Sequence, residues 1–315
     1  MLLGIEIGGT KLQLGVGRGD GPPLVELRRS DVRVEDGAAG ILRQIEEIGR
    51  DLIARHGVRA VGLGFGGPVD SAAGRTVTSH QVAGWDDFPL VDWCRKTFGL
   101  PAALCNDSDS AGLAEALFGA GKGSRIVFYN NVGSGIGGAF VIDGRLYLGC
   151  RGVASELGHL RPGPEADQPS KTIESIASGW GLAAGGRAWL AEHPDTADAA
   201  DLLRRCNGQA DHLSGKMLVE AAAAGNEAAG AIFRRAIKTL GWGLAQMITL
   251  LAPDVVVMGG GVPLCGEKLF FEPLRKEVDC YVFPPHRGTY RIVPAQLGEE
   301  VVVHGVLAIA AQAGE

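Results

Sequence analysis

Apolar residues along this chain switch between a period of two and a period near 3.6. Leu2–Ile7 is a short apolar run. Gly8-Gly9-Thr10 interrupts it, and Lys11–Gly17 resumes with Leu12, Leu14 and Val16 at alternate positions. This pattern predicts a strand, a tight turn and a returning strand. A third strand is expected over Leu24–Val34. Ile41, Ile45, Ile48 and Leu52 then recur at helical spacing. Val61–Phe65 reads as a buried strand ending in Gly66-Gly67-Pro68. Asp87–Phe98 reads as a helix and Ala102–Leu104 as a strand. Asn106-Asp107-Ser108 opens an alanine-rich helix running to about Gly119.

The pattern then starts again. Arg125–Asn131 is strand-like, Gly133-Ser134-Gly135 a turn, and Ile136–Ile142 a returning strand. Asp143-Gly144 is a two-residue hairpin signal leading into Arg145–Leu148. A strand–glycine turn–strand unit thus occurs near the start of each half, which reads as an internal duplication. Residues 161–170 form a polar, proline-rich loop. Helices are expected over Thr172–Ala191, Thr196–Cys206, Ser214–Ala224 and Asn226–Leu251. Asp254–Met258 is a buried strand ending in Gly259-Gly260-Gly261, and a last helix covers about Glu299–Gln312. Alternating strands and helices in both halves predict two α/β domains with a cleft between them. The boundaries fall at 1–118 and 119–298, with the C-terminal helix, 299–315, returning to the first domain.

Composition changes this picture in one respect. There are 49 glycines in 315 residues, roughly twice the usual share. They lack a three-residue period, which excludes collagen. An apolar content of 46% excludes a disordered glycine-rich tract. The glycines therefore serve turns and close backbone approaches. A net charge of −6 makes nucleic acid and anionic membrane poor partners. The six cysteines are scattered without a C-x-x-C pair, as expected for free thiols in a reducing compartment. The N-terminus lacks the features of a signal peptide, and no stretch is long enough to span a bilayer. A soluble, cytoplasmic protein is expected.

Three glycine clusters follow apolar strands: Gly8-Gly9, Gly133–Gly138 and Gly259–Gly261. Any one could be a plain hairpin turn. Three at strand ends in a duplicated frame favour phosphate binding through consecutive N–H groups. The string GSGIGG at 133–138 is not a dinucleotide fingerprint, because it opens a strand where that motif must open a helix. No Walker A string is present. An Asp at position 107 could be a simple N-cap. Glu156 and Glu174 could be solvated helix faces, and His159 a satisfied core histidine.

The segments IEIGGTKLQLGV, GFGGPVD, GWDDFPL, NDSDSAGLAEA, NVGSGIGGAFVIDG, ASELGH, IESIASG and VVVMGGG occur in this order. Together they resemble the ROK family of sugar kinases, within the actin/hexokinase-like ATPase superfamily. The resemblance implies two actin-like (ribonuclease H-like) domains with a hexose or N-acetylhexosamine in the central cleft. It places ATP on the two glycine hairpins and the late glycine loop. Gly8, Gly9, Thr10 and Lys11 fall in the first phosphate loop, and Gly133, Ser134 and Gly135 in the second. Gly260 and Gly261 line the adenosine pocket. Asp107 is implied as the general base. Gly67, Asn106, Glu156, His159 and Glu174 are implied, with Asp107, as sugar contacts. Carboxylate, amide and imidazole groups can pair with both the donors and the acceptors of a sugar. A homodimer is the family's implied assembly.

The chain departs from the family pattern in three places. Glu6 stands where Asp usually helps hold Mg²⁺ through water. Its extra methylene moves the carboxylate by about 1.5 Å at full extension, a shift that a water-mediated contact can absorb. The segment after Gly158-His159 lacks the usual zinc-binding cysteines, so no zinc site is expected. Ser155 stands where the family usually has Gly.

The leading expectation is an ATP-dependent hexose kinase, glucose 6-OH first. N-acetylmannosamine, N-acetylglucosamine and fructose are alternative acceptors. A second class is a catalytically weak sugar-binding protein, motivated by Glu6 and the absent zinc motif. A third is a sugar-responsive repressor. It is disfavoured by the negative charge and by a first strand beginning at Leu2, which leaves no room for a helix-turn-helix domain.

Overall fold

The computed structural model describes residues 1–313 except His80, Arg151 and 164–166; the last three belong to the proline-rich loop singled out above. The chain forms two compact units. One comprises Met1–Arg125, Ala139–Ala154 and Ala295–Glu315, and the other Ile126–Gly138 and Ser155–Pro294.

The first sheet contains β1 (Leu2–Ile7), β2 (Lys11–Gly17), β3 (Glu26–Asp31), β4 (Ala60–Phe65) and, further along the chain, β7 (Ala102–Asn106). Its order is β3-β2-β1-β4-β7. The β1–β2 and β2–β3 pairs are antiparallel, while β1–β4 and β4–β7 are parallel. Between β4 and β7 lie a small ribbon of β5 (Val69–Asp70) and β6 (Arg75–Thr76). The second sheet has β8 (Ile126–Val132), β9 (Ile136–Ile142), β10 (Arg145–Leu146), β11 (Val255–Gly259) and β12 (Arg291–Pro294), in the order β10-β9-β8-β11-β12. There β10 is antiparallel to β9, and β11 is parallel to both β8 and β12. The second order repeats the first, position for position. The duplication read from the glycine turns is thus a duplication of sheet topology.

The helices of the first unit are α1 (Gly37–His56), α2 (Leu90–Phe98) and α3 (Asp107–Phe118). The second unit carries α4 (Glu174–Ala177), α5 (Gly179–Glu192), α6 (Ala197–Arg205), α7 (Gly215–Ala223), α8 (Glu227–Leu251) and α9 (Glu272–Tyr281). The chain ends in α10 (Val301–Ala313), which packs on β1, β4 and α3 of the first unit. Glycine makes this packing possible. A methyl on Gly62 of β4 would collide with the Val306 carbonyl, and one on Gly305 of α10 with the Ser110 carbonyl. Ile41, Ile45 and Leu52 of α1 are buried against the first sheet's core, as their spacing predicted.

Several elements differ from the sequence reading. The expected helix over Asp87–Phe98 begins only at Leu90, because Pro89 holds the N-cap and Asp87 has a left-handed φ of 46°. The expected single helix over Thr172–Ala191 is broken at Ser178. That residue is extended (φ −76°, ψ 169°) and its hydroxyl caps α5 by accepting from Gly181 N. The third strand is shorter than Leu24–Val34, spanning only Glu26–Asp31. Helix α9 and edge strand β12 were not anticipated.

Candidate active site

In the first unit, the β1–β2 turn closes with a Gly8 N–H donating to the Lys11 carbonyl at 3.0 Å. Beside it, a methyl placed on Gly66 would meet Asp107 Oδ2 at 3.5 Å and Gly8 Cα at 3.6 Å. The first glycine turn, the end of β4 and the start of α3 therefore meet at one point. The N-cap of α3 is Asn106, whose Oδ1 accepts from Ser108 N (2.8 Å) and Asp109 N (3.3 Å). Its Nδ2 donates to the Gly67 carbonyl at 2.9 Å. Asn106 thereby ties Gly67 to the helix start and relieves Asp107 of the capping duty. Asp107 Oδ1 accepts from Ser108 N at 2.7 Å. Desolvation by the surrounding protein raises the Asp107 pKa, and the hydrogen bonds to Ser108 work against that rise.

Glu6 lies on β1 beneath the same turn and is only 8% exposed. Its Oε2 accepts from Gln13 Nε2 at 2.6 Å, and Lys11 Nζ lies 3.7 Å from Oε1. Burial raises its pKa; Lys11 and Gln13 oppose the rise, while the nearby Asp107 charge adds to it. Among the described residues no group of three or more His, Cys, Asp or Glu is placed to hold a metal. The two carboxylates, balanced by a single lysine, suit Mg²⁺. That ion takes one or two carboxylates and completes its shell with water and substrate phosphate.

In the second unit, Glu156 precedes the short turn Leu157–His159 and His159 ends it, with His159 Nε2 3.9 Å from Glu156 Oε2. Both side chains are open to solvent. Ser155, just before them, adopts φ 65°. Glu174 is brought beside this turn: a methyl on Gly158 would lie 3.4 Å from its Cβ. Glu174 Oε2 also accepts from Ile136 N at 2.8 Å, on the second glycine hairpin. It thus braces the second glycine hairpin as well as bordering the Glu156–His159 turn.

The Gly133-Ser134-Gly135 turn is held by Gly133 N donating to the Gly135 carbonyl at 3.0 Å. The start of α5 is laced to it, with Gly179 N donating to the Gly133 carbonyl (2.8 Å) and Trp180 N to the Ser134 carbonyl (3.1 Å). A cavity of about 870 Å³ opens beside this turn. Gly133, Ser134, Gly261, Trp180, Arg187 and Lys216 are among its lining residues. Gly260 has φ 90°, and a methyl there would meet Asn131 Oδ1 and the Val132 carbonyl at 2.5 Å. Only glycine fits that position. The cavity joins backbone donors and two helix starts. Its cations Arg187 and Lys216 are matched by the carboxylates Asp211 and Glu220, so anion binding there would rest on the backbone groups. The sequence reading missed Gln13, Trp180, Arg187 and Lys216. None carried a signal: Gln13 falls at the polar position of the β2 alternation, where a solvent-facing residue is expected.

The sequence matches the ROK family along residues 2–313. A glucokinase of Thermotoga maritima is 31% identical over 312 residues, which cover 98% of this chain and 96% of that one. The bifunctional enzyme NanE/NanK of Brucella melitensis is 29% identical over 98% of this chain and 54% of its own length. Among solved structures, a ROK family glucokinase from Streptomyces griseus in complex with glucose and AMPPNP superposes with a TM-score of 0.81. It is 30% identical, with 99% of each chain covered.

Proposed function

This chain belongs to the ROK family and is a sugar kinase, and we propose that it transfers the γ-phosphoryl group of ATP to a hexose, at the 6-hydroxyl of glucose first. The observation that carries the reading is the Asp107 carboxylate beside the first glycine turn, near enough that a methyl on Gly66 would touch both. In the proposed reaction the sugar oxygen attacks the γ-phosphorus and the bond to the ADP oxygen breaks. The hydroxyl proton passes to Asp107. Phosphoryl transfer leaves the protein mainly positioning and charge stabilisation, and a base adds about 10²–10⁴ in rate.

Gly67, Asn106, Glu156, His159 and Glu174 are the proposed sugar contacts. Gly8, Gly9, Thr10 and Lys11, with Gly133, Ser134 and Gly135, are the proposed phosphate-binding residues. Gly260 and Gly261 are assigned to the adenosine end. The cavity beside Ser134 and Gly261 supports that assignment. Glu6 would hold Mg²⁺ through water, and the ion would neutralise phosphate charge. The relatives' names support glucose and ATP: two are glucokinases, one with glucose and AMPPNP bound.

A coupled ADP-release assay over glucose, mannose, fructose, N-acetylmannosamine and N-acetylglucosamine, with a no-sugar control, tests this reading. Parallel reactions with polyphosphate test the donor. Glucose-dependent ADP release at the highest kcat/KM is expected. Sugar binding without turnover for every sugar would instead make the protein a binder. No helix among the described residues is long and apolar enough to cross a membrane, and all six cysteines are free. We place the enzyme in the cytoplasm as a homodimer, an assembly that light scattering can check.

A further inference from the structure

Gln81 reaches over the first glycine turn. A methyl placed on Gly9 would collide with Gln81 Oε1 and Cδ and lie 3.0 Å from its Cβ. The side-chain amide therefore occupies the space that any residue other than glycine at position 9 would need. Described residues on both sides of it are tied to the fold. Ser79 Oγ accepts from the backbone N–H groups of Gln81 (3.3 Å) and Val82 (3.2 Å). Val82 and Trp85 are buried, and Trp85 packs edge-on against Phe65 of β4 with ring centroids 5.2 Å apart. Ala38 N donates to the Ala83 carbonyl at 2.9 Å. Gln81 itself is exposed, and among the described residues its amide makes no hydrogen bond.

An amide without a hydrogen-bond partner among the described residues thus stands at Gly9, its Oε1 toward the turn, and a half-turn about its Cγ–Cδ bond brings Nε2 to the same place. Asp107 lies on the Gly8 side, where a methyl on Gly66 would touch both. We infer that Gln81 is a phosphate-contacting residue of the transfer step, whose Nε2 donates to an oxygen of the phosphoryl group held on the Gly8–Thr10 turn. This rests on the kinase reading above, in which that turn is a phosphate loop. Asp107 takes the proton of the attacking hydroxyl on one flank, and Gln81 offsets charge on the phosphoryl oxygens on the other. A neutral amide donor suits this place. A carboxylate of the same shape would repel the phosphoryl group. The same contact accounts for glycine at position 9, where a side chain would push the amide aside.

The test uses Gln81→Ala and Gln81→Glu in the full-length enzyme. Readouts are kcat and KM for sugar and ATP, with thermal unfolding as the folding control. Loss of one aimed donor is expected to lower kcat about tenfold or more, with sugar KM within about threefold. Gln81→Glu should fall further than Gln81→Ala. Adding Gly9→Ala to Gln81→Ala should cost less than Gly9→Ala alone, since the amide it displaces is already gone. A kcat within twofold of wild type in both variants overturns the inference. So does a change confined to sugar KM, or equal losses in the two variants. Failure of the wild-type enzyme to phosphorylate any sugar would strike the kinase reading instead, before Gln81 is considered.

Discussion

Gln13 Nε2 lies 2.6 Å from Glu6 Oε2, between adjacent strands of the first sheet. The same nitrogen donates to the Glu299 carbonyl at 2.9 Å, and Gln13 Oε1 accepts from Arg29 Nε at 2.9 Å. Gln13 is fully buried, so a lost partner would leave an unpaired polar group inside the protein. This lattice fixes a carboxylate one methylene longer than the family's usual aspartate.

Glu6→Gln keeps the shape and removes the charge. Burial raises the Glu6 pKa in the folded protein. Its contribution to stability is therefore complete below the ordinary carboxylate pKa and is lost as pH rises through the raised value. At neutral pH the variant is expected to melt at or above the wild-type temperature. If Glu6 holds Mg²⁺ through water, the magnesium concentration for half-maximal activity should rise by about tenfold or more. An unchanged magnesium requirement would remove Glu6 from the metal site.

Asp107→Asn is expected to lower kcat at least about a hundredfold while sugar binding persists. The N-cap of α3 belongs to Asn106, so the helix start survives the change. Because the Asp107 pKa is raised in the fold, wild-type activity should fall as pH drops through a value above that of an ordinary aspartate. The residual activity of Asp107→Asn should lack that acid limb. Near-normal turnover by the variant would exclude Asp107 as the base.

The two hairpins, the strands behind them and the helix start at Asn106-Asp107 were legible because each writes a local pattern. Alternate apolar residues end in glycine, and a polar N-cap pair follows a short strand. The break at Ser178 was not legible, since Thr172–Ala191 is apolar enough for one helix and only the extended ψ of one serine divides it. Helix α9 was hidden by Pro273, which stands in the helix's first turn, where its missing N–H costs nothing. Strand β12 is a four-residue edge with one buried residue, too short to show a period. Gln81 and Trp180 lie outside any alternation. Their importance comes from what the fold sets beside them: Gly9 in one case and the Gly133–Gly135 turn in the other.

Ser155→Gly is expected to stabilise the protein. Ser155 holds φ 65°, a region that costs a residue with a side chain about 1–2 kcal/mol. The greater chain freedom of glycine returns roughly 0.5–1 kcal/mol of that to the unfolded state. A net gain of about 0.5–1 kcal/mol should appear as a raised denaturant midpoint with an unchanged m-value. A lowered midpoint would mean that the serine hydroxyl makes a stabilising contact that outweighs the backbone strain.

Trp180 would report on a nucleotide bound in the cavity beside Ser134. It is 54% exposed on the wall of the cavity beside Ser134, and Leu264, on the same cavity, is 85% exposed. Large apolar side chains left this open on one concave surface would be covered by a flat aromatic ligand. The Trp180 backbone is tied to the Ser134 carbonyl, so a phosphate chain on that turn would direct its base along this wall. Titration with a non-hydrolysable ATP analogue is expected to change the protein's tryptophan fluorescence saturably. The change should be largely lost in Trp180→Phe, which keeps an aromatic ring on the wall. Inorganic triphosphate lacks a base and should produce little of it. The other four tryptophans serve as an internal control, because none of them lines the cavity. A full-sized response in Trp180→Phe would place the base away from this wall.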